Sequence, residues 1–341
     1  MHITKTLTSW YSVHKRFLPW RNTKNPYYIW LSEIILQQTQ VKQGLPYYER
    51  FVSRYPTVFH LASAEEEDVL KLWQGLGYYS RARNLHETAK HVAHKLDGEF
   101  PSTYKDLIKL KGIGDYTASA IASICFNKVT AVVDGNVYRV LARYFGIRTP
   151  INSTKGKNEF KALAQEIIDV NNPADFNQAI MEFGAIQCKP KSPDCLICPL
   201  IESCFAFKNN EIKLLPVKNK MPKPVKKYFN YLVYISKHKE TIIEKREGKG
   251  IWQNLYQFPL IESEKELELE EILANFNSNE LITITRYNQE SIIHKLSHQH
   301  LHTTFWIINT QELPTKGIKF ETIHDYATPI LIKKFLDNFN F

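Results

Sequence analysis

Four of the five cysteines in this chain of 341 residues lie within one short stretch, CKPKSPDCLICPLIESC, which runs from Cys188 to Cys204. Their spacing is C-x6-C-x2-C-x5-C. In a reducing compartment such a cluster is more often a set of metal ligands than a set of disulfides. Four thiolates can hold either one tetrahedral zinc ion or a 4Fe-4S cluster, and the number of ligands does not decide between them. The stretch therefore predicts a metal-binding loop formed by Cys188, Cys195, Cys198 and Cys204.

The start of the chain, MHITKTLTSWYSVHKRF, has neither the apolar region nor the cleavage site of a secretory signal. No window approaches 18 uninterrupted apolar residues, so no membrane-spanning helix is expected. A hydrophobic content of 43% and a charged content of 23% are ordinary for a globular protein. We expect a cytoplasmic monomer, associated with the nucleoid if the source is bacterial, that does not bind membranes.

Charge is distributed unevenly along the chain. Residues 1–227 carry 32 Lys and Arg against 20 Asp and Glu, a net charge of +12, whereas residues 228–341 carry 12 against 15, a net charge of −3. Seven lysines, one glutamate and three prolines lie between Lys208 and Lys227, a composition typical of an extended linker. A basic linker can serve solubility or attach the protein to a polyanion such as DNA. The sequence predicts a first domain at 1–207, a Lys/Pro linker at 208–227 and a second domain at 228–341.

Apolar residues in the first domain recur at spacings of three and four, which predicts a mostly α domain. Its clearest helical stretches are 30–41, 65–74, 117–125 and 137–145. In the second domain the period changes, and short runs of β-branched and aromatic residues predict strands. These predicted strands are 228–235, 241–245, 281–287, 291–297 and 302–309, and the predicted helices are 263–276 and 328–339. We expect an α+β second domain with a small mixed sheet.

Two further stretches of the first domain combine glycine with the start of a helix. In LKGIGDYTA, Gly112 and Gly114 bracket Ile113 and allow a sharp turn, and the free N–H groups of the next helix could bind a phosphate. A turn of this kind is also a common way to end a helix. In AVVDGNVYRV, Asp134 occupies an N-cap position, where backbone N–H groups are expected to lower the pKa of a carboxyl and keep it charged.

Together these stretches resemble the endonuclease III superfamily of helix-hairpin-helix DNA glycosylases. The cysteine spacing is similar to the iron-sulfur loop of that family, whereas zinc ribbons usually carry two C-x2-C pairs. The resemblance implies a 4Fe-4S cluster on the four cysteines. It also implies a hairpin, with Gly112 and Gly114, that binds the DNA backbone without reading bases. Asp134 would stabilise the positively charged sugar when a base leaves, and Asn136 would assist it.

The N-terminal motifs indicate one branch of this superfamily. LPWR at 18–21 and NPYYIWLSEIILQQTQV at 25–41 resemble MutY-type adenine DNA glycosylases. Asn25 and Pro26 suit the N-cap and first position of the helix that carries Glu33. A lone glutamate on a helix usually faces solvent. The resemblance implies instead that Glu33 lies among apolar side chains, is protonated near neutrality and donates a proton to N7 of adenine.

The resemblance assigns further residues to DNA. Gln38 and Tyr78 would occupy or support the stack that the flipped adenine leaves, and Arg21 and Gln178 would line the adenine pocket. Bifunctional relatives carry, at position 116, the lysine that attacks the sugar, and this chain has Tyr116 there. A phenol cannot form a Schiff base, so the resemblance implies a monofunctional glycosylase that leaves an abasic site.

The second domain resembles the Nudix fold of MutT-like proteins through GKGIWQNLYQFPLIE at 248–262, but it lacks the R-E-x-x-E-E signature that Nudix hydrolysis requires. In MutY-type enzymes this domain recognises 8-oxoguanine opposite the adenine. The loop that does so would here be Leu296, Ser297 and His298, with Leu296 in place of the bulkier aromatic that is common in the family. We expect Ser297 and His298 to contact DNA.

These patterns predict a monofunctional glycosylase of base excision repair that removes adenine opposite 8-oxoguanine or guanine from double-stranded DNA. Two other functions stay open at this stage. One is a bifunctional endonuclease III-like lyase on oxidised pyrimidines, which Tyr116 and the second domain disfavour. The other is a non-catalytic iron-sulfur DNA-binding regulator, which the joint presence of Glu33 and Asp134 in their motifs disfavours.

Overall fold

The computed structural model of the chain describes residues 2–276, 282–339 and 341. It divides into two compact units: unit 1 consists of residues 1–63 and 84–220, and unit 2 consists of residues 64–83 and 221–341. The predicted division into contiguous domains at 1–207 and 228–341 stays a prediction. No sequence pattern indicated that residues 64–83 would group with the C-terminal part of the chain. Across the described ranges, no helix is long and apolar enough to cross a membrane.

The helices of the described residues are α1 (His2–His14), α2 (Pro26–Leu36), α3 (Val41–Arg54), α4 (Val58–Ala62), α5 (Glu66–Leu72), α6 (Ser80–Lys95), α7 (Tyr104–Leu107), α8 (Asp115–Phe126), α9 (Gly135–Phe145), α10 (Thr154–Ile167), α11 (Pro173–Glu182), α12 (Phe205–Lys208), α13 (Leu269–Leu273) and α14 (Ile330–Asn338). The described residues also form three 3₁₀ turns, Pro19–Asn22, Ile201–Ser203 and Phe320–Asp325, and one π-helical segment, Phe183–Gln187. The described part of unit 1 contains no strand, so the predicted mostly α domain is confirmed.

Local sequence explains where the helices of unit 1 begin and end. The side chain of Asn25 accepts a hydrogen bond from the backbone N–H of Tyr27 at 2.9 Å, and Pro26 is the first residue of α2, which confirms the predicted pair. The helix predicted over 30–41 ends earlier, at Leu36, because Gln37 adopts a non-helical ψ of 117°. Helix α9 ends at Phe145, and the next residue, Gly146, has a φ of 74°, the left-handed conformation that glycine adopts without strain.

The core of unit 1 is formed largely by α1, α9, α10 and α11. Their apolar faces meet in one cluster of fully buried side chains, which includes Leu7, Leu141, Phe160, Phe176 and Ala179. Apolar burial of this extent is the main source of stability for a helical domain. The cluster therefore fixes α9 and α11, the two helices that carry Asn136 and Gln178, relative to each other.

Unit 2 contains the strands. They are β1 (Val225–Ser236), β2 (Glu240–Thr241), β3 (Glu244–Lys245), β4 (Tyr256–Gln257), β5 (Leu260–Ser263), β6 (Ile282–Arg286), β7 (Ile292–Lys295), β8 (Gln299–Thr310) and β9 (Ile318–Lys319). A five-stranded sheet has the order β5-β1-β8-β6, and β7 also pairs with β8. The long pair β1 and β8 is parallel, from Val225 opposite Gln299 to Ser236 opposite Thr310, and the other pairs of this sheet are antiparallel. The predicted small mixed sheet is confirmed.

Helices cover both faces of this sheet. On one face, Phe305 stacks on Tyr231 at 5.4 Å between ring centroids and on Phe335 of α14 at 4.2 Å. On the other face, Leu232 and Trp306 belong to a buried cluster with Ile272 of α13. Neighbouring residues of a strand point to opposite faces, so the apolar runs of β1 and β8 supply both layers.

Three predictions in the second domain need correction or qualification. The helix predicted over 263–276 is wrong in length, because Glu268 forms a capping box with Glu271 and α13 starts only at Leu269. The strand predicted at 241–245 consists of two separate two-residue strands, β2 and β3, with different partners. The strand predicted at 281–287 is observed as β6, and its first residue, Leu281, lies outside the described residues.

Residues 64–83 are attached to the rest of unit 2 by polar contacts. Gln74 donates to the hydroxyl of Thr328 at 2.7 Å, and Tyr79 donates to the carbonyl of the same residue at 3.2 Å. Lys245 pairs with Glu67 at 2.7 Å, and Asn254 donates to Glu66 at 2.6 Å. These partners are more than 150 residues apart in sequence, so only the folded chain shows the attachment.

Candidate active site and cysteine loop

A cavity of about 180 Å³ in unit 1 contains most of the residues that the sequence assigned to catalysis. Its lining includes Glu33, Tyr116, Asp134, Asn136, Arg21 and Gln178. These residues come from α2, α8, α9, α11 and the 3₁₀ turn Pro19–Asn22. The structure thus brings together six predicted site residues that span more than 150 positions of sequence.

Glu33 is the acidic group at the centre of this cavity. It is only 8% exposed, on a helix whose neighbouring side chains are also buried. Burial raises the pKa of Glu33 from 4.5 to about 7, with a smaller contribution from the nearby Asp134 carboxyl, while a hydrogen bond with Tyr116 and the charge of Arg21 oppose the rise. A carboxyl with a pKa near neutrality is partly protonated at physiological pH and can donate a proton to a substrate.

Asp134 caps α9. Its Oδ1 accepts the backbone N–H groups of Asn136 and Val137, both at 2.8 Å, and its Oδ2 accepts the amide of Asn136 at 2.7 Å. The predicted capping is confirmed. The expected lowering of its pKa is wrong in sign, because burial raises the pKa of Asp134 by more than these hydrogen bonds lower it.

The cavity is also lined by a buried ion-pair group that the sequence did not reveal. Glu182, 1% exposed, accepts hydrogen bonds from the guanidinium groups of Arg16 and Arg21 at 2.7 and 2.8 Å. Burial acts to raise the pKa of Glu182, but these hydrogen bonds outweigh it and lower that pKa to about 2. Glu182 lies one helical turn after Gln178 on α11, and this i, i+4 spacing is the only sequence signal that could have placed the two residues on one wall. Gln178 itself accepts a hydrogen bond from Tyr11 at 3.0 Å.

Hydrogen bonds connect this cavity to the cysteine loop. Arg139 donates to the side-chain oxygen of Asn136 at 2.7 Å, to the carbonyl of Gly184 at 2.7 Å and to the carbonyl of Cys188 at 2.8 Å. Gly184 lies in the π-helical segment, and a Cβ there would come within 2.6 Å of Cβ of Asn136. Only glycine allows this close approach. The π-helical segment that precedes Cys188 therefore packs directly against Asn136, two residues after Asp134.

The four predicted metal-ligating cysteines surround a small cavity of about 30 Å³ in unit 1. Arg143 lies beside it, with Nη1 3.4 Å from the sulfur of Cys188, and its guanidinium also donates to carbonyls of the loop, those of Lys189 and Pro190. Burial, together with the neighbouring Cys188 sulfur, raises the pKa values of Cys195 and Cys204, and that of Cys198 to about 11. In the parts of the chain that the structure describes, no group of three or more His, Cys, Asp or Glu side chains is arranged to hold a metal ion.

The predicted hairpin has the expected local geometry. Gly112 has a φ of +75°, and the exposed Gly114 is the N-cap of α8. A Cβ at Gly114 would meet open space, so the backbone there is accessible, whereas a Cβ at Gly112 would come within 2.7 Å of Asn84. Asp115, the first residue of α8, forms an ion pair with Lys161 at 3.0 Å.

Both residues predicted to enter the base stack have unusual backbone conformations. Gln38 has a φ of 53° just after α2, and Tyr78 has a φ of 47° in the turn before α6. Residues other than glycine rarely adopt this region, and such strain concentrates at functional sites. The side chain of Gln37 donates to Thr117 of α8 at 3.2 Å, which ties the turn that carries Gln38 to the hairpin helix.

A second, larger cavity of about 500 Å³ lies within unit 2. Tyr78, Leu296, Ser297 and His298 all line it, and so do residues that the sequence did not single out, Arg83, Trp252 and His294. Leu296, Ser297 and His298 form the three-residue connection between β7 and β8, closed by a hydrogen bond from the N–H of Leu296 to the carbonyl of Gln299 at 2.9 Å. Ser297 and His298 are exposed and Tyr78 is half exposed, so their side chains are available to a ligand.

Comparisons with known proteins agree with this architecture. Residues 31–169 match the HhH-GPD superfamily of base excision DNA repair proteins, and residues 230–338 match the NUDIX domain. The chain is 35% identical to the adenine DNA glycosylase of Buchnera aphidicola subsp. Schizaphis graminum, over 98% of each chain, and 47% identical to that of Mus musculus over 59% of this chain and 41% of the relative. A solved structure of a thermostable thymine-DNA glycosylase superposes with a TM-score of 0.57 at 29% identity, covering 61% of this chain and 96% of that one.

Proposed function

The chain belongs to the adenine DNA glycosylase family, and from this premise we propose that it hydrolyses the glycosidic bond of adenine mispaired with 8-oxoguanine or guanine in duplex DNA. The observation that carries the proposal is the cavity shared by Glu33, whose pKa is raised to about 7, and Asp134. Two carboxyls in different environments beside one cavity are the arrangement that glycoside hydrolysis uses. The reaction is a step of base excision repair that yields free adenine and an abasic site.

The two carboxyls would act in sequence on a flipped nucleotide. Glu33 in its protonated form donates its proton to N7 of adenine, and the C–N bond breaks with its electron pair leaving on the base. The sugar then carries positive charge, which the Asp134 carboxylate stabilises until water adds to C1′ and gives its proton to the Glu33 carboxylate, which restores the acid. Hydrogen bonds from Asn136 and Val137 hold Asp134 in one orientation for this role.

Tyr116 supports a monofunctional reaction. The Tyr116 hydroxyl hydrogen-bonds to Glu33 and lies 3.5 Å from the sulfur of Met181, and burial raises its pKa well above 10. A neutral phenol at this place can orient the acid but cannot form a Schiff base with the sugar. The bifunctional lyase, which needs an amine there, is therefore disfavoured.

Selectivity for adenine is proposed to come from Arg21 and Gln178, which line the same cavity and can supply hydrogen-bond donors and acceptors to the edge of the base. Glu182 accepts five hydrogen bonds from Arg16 and Arg21, so both of its carboxylate oxygens are in use. It is proposed to fix the Arg21 guanidinium at the cavity lining rather than to contact adenine itself.

Recognition of the opposite base is proposed to belong to unit 2. Ser297 and His298 are exposed on the lining of a cavity that also contains Tyr78. The Ser297 hydroxyl can both donate and accept, which matches the N7–H and O8 that distinguish 8-oxoguanine from guanine. Leu296 fills the loop position next to them with an aliphatic side chain.

The cysteine loop is proposed to hold a 4Fe-4S cluster. The four thiols line a common cavity, and their spacing lacks the second C-x2-C pair that is usual in zinc ribbons. Burial and the neighbouring sulfurs raise the pKa values of Cys195, Cys198 and Cys204, so thiolates in this loop need compensating positive charge. A bound cluster would supply that charge and fix the fold of the loop, and Arg139 and Arg143 would hold the loop beside Asn136.

Double-stranded DNA is the proposed partner. The net charge of +12 on residues 1–227 favours a polyanion, and the exposed N-terminus of α8 at Gly114, with the turn at Gly112, offers backbone N–H groups to a phosphate. Gln38 and Tyr78 are proposed to fill the stack beside the flipped base. We also propose that the protein acts on this DNA as a monomer in the cytoplasm.

One assay tests these proposals together. Iron-loaded protein is incubated with duplexes that carry adenine opposite 8-oxoguanine, adenine opposite guanine, or thymine glycol, and strand breaks are scored with and without alkali. We expect breaks at adenine only after alkali, and none at thymine glycol. Alkali-independent cleavage at thymine glycol would favour the lyase, and binding without any base release would favour the regulator.

A further inference from the structure

The stretch immediately before Asp134 has an unusual way of satisfying its backbone. Residues 129–132 belong to neither a helix nor a strand, although Ala131 and Val132 are almost fully buried. Buried backbone N–H and C=O groups must find partners, because leaving them unpaired costs free energy. In this stretch the partners are side chains of two other helices.

Three side chains make these contacts. Gln165 of α10 accepts the N–H of Ala131 at 2.9 Å and donates to the carbonyl of Val129 at 3.0 Å. Lys161, also of α10, donates to the carbonyl of Ala131 at 2.7 Å. Asn177 of α11 accepts the N–H of Val132 at 3.0 Å and donates to the carbonyl of Thr130 at 2.9 Å. The stretch is therefore paired as a strand would be, but with side chains.

Asn177 differs from the other two residues in its burial. Its exposed fraction is 0%, whereas Gln165 is exposed and Lys161 is partly exposed. Its second amide hydrogen is donated to the hydroxyl of Ser123 at 3.0 Å, so the donors and the acceptor of the amide are all in use. Water can replace the bonds of an exposed side chain, but it cannot reach the bonds of Asn177.

The position of Asn177 on α11 gives this contact a second consequence. The next residue, Gln178, and Glu182 one turn later line the cavity that contains Asp134. The same helix therefore holds one wall of the cavity and, through Asn177, the backbone that leads into Asp134. A shift of about 1 Å in a reacting group can cost on the order of 100-fold in rate.

We propose that Asn177 is a positioning residue of the glycosylase reaction: it fixes the Asp134 carboxylate relative to the base-binding wall by bonding the backbone of residues 130 and 132. The inference rests on the proposed function of the cavity. Asn177 touches neither substrate nor the carboxyl group itself, and it acts through the main chain only.

The test uses full-length, iron-loaded protein with the variants Asn177→Ala and Ser123→Ala. Both variants lose a buried hydrogen bond of Asn177, but only Asn177→Ala loses the bonds to residues 130 and 132. Single-turnover adenine release is measured on a duplex with adenine opposite 8-oxoguanine, and Kd is measured on a duplex with an uncleavable abasic analogue. We expect Asn177→Ala to lower the rate by about 30- to 100-fold with Kd changed by less than about threefold, and Ser123→Ala to keep the rate within about threefold.

A wild-type rate in folded Asn177→Ala, or an equal loss of rate in Ser123→Ala, would overturn the proposal. If Asn177→Ala does not fold, Asn177→Asp replaces it. Its carboxylate still accepts the N–H of Val132 but can donate to Thr130 only when protonated, so its rate relative to wild type should rise as the pH falls from 8 to 6. A ratio that does not rise as the pH falls over that range would also overturn the proposal. Failure of wild-type protein to release adenine would instead refute the function, which keeps the two outcomes separate.

Discussion

Replacing Glu33 by Gln should strongly reduce adenine release and make the protein more stable at alkaline pH. The folded-state pKa of Glu33, about 7, lies above its ordinary value of 4.5, so its contribution to stability is fully present below pH 4.5 and is lost as the pH rises through 7. One pKa unit corresponds to about 1.4 kcal/mol, so ionised Glu33 destabilises the fold by about 3 kcal/mol above pH 7. Glutamine has the same shape and carries no charge to bury.

The assay compares urea unfolding of wild type and Glu33→Gln at pH 5 and pH 8, with matched iron content. We expect the difference in unfolding free energy to shift in favour of the variant by about 2 to 3 kcal/mol between the two pH values. Adenine release at pH 7 should fall by about 10² to 10⁴, because the proton donor is absent, while DNA binding persists. In wild type the single-turnover rate should fall as the pH rises above 7, where Glu33 loses its proton.

Glu182→Gln is the matched control, because the pKa of Glu182 is shifted in the opposite direction from that of Glu33. The pKa of Glu182 is lowered to about 2, so its ionised form adds stability that is present above pH 4.5 and is lost only as the pH falls through 2. Glu182→Gln should therefore be less stable than wild type by about 3 kcal/mol at both pH 5 and pH 8. Near-normal adenine release by Glu33→Gln, or a stability difference from wild type that does not change with pH, would refute the assignment of Glu33 as a buried acid.

Other variants test the remaining assignments. Tyr116→Lys places an amine beside Glu33 and Asp134, and we expect some strand cleavage with an adduct that borohydride traps; no trapped adduct would contradict the position of residue 116 at the sugar. Ser297→Ala should lower the preference for 8-oxoguanine over guanine by about three- to tenfold with little change at A:G, since one hydrogen bond is worth about 0.5–1.5 kcal/mol; an unchanged preference would exclude Ser297 as the reader. The purified protein should be brown with about four irons per chain, and stoichiometric zinc in anaerobic preparations would contradict the cluster.

A truncation of the second domain would also disturb residues 64–83. Residues 64–83 bond to Thr328 through Gln74 and Tyr79, and Glu67 pairs with Lys245. Deleting residues 228–341 would remove Thr328 and Lys245, and with them these bonds of residues 64–83. Point variants such as Ser297→Ala therefore test mispair recognition more cleanly than truncation does.

The sequence by itself determined the features that depend on neighbouring residues. The caps at Asn25 and Asp134, the turn at Gly112, the strand content of the second domain and the cysteine spacing all follow from a few adjacent side chains and backbone groups, and the structure has each of them. Resemblance then placed Glu33, Tyr116 and Asp134 among the site residues, and the structure brings them to one cavity.

Only the tertiary structure decided the electrostatics and the long-range partners. The rise in the pKa of Asp134, against the expected direction, comes from burial, which a cap motif cannot report. The pairing of Glu182 with Arg16 joins residues 166 positions apart, and the bonds of Asn177 to residues 130 and 132 span 45 or more. Desolvation and hydrogen bonding depend on which atoms meet in space, and a local pattern of residues carries no record of partners that the chain brings from so far away.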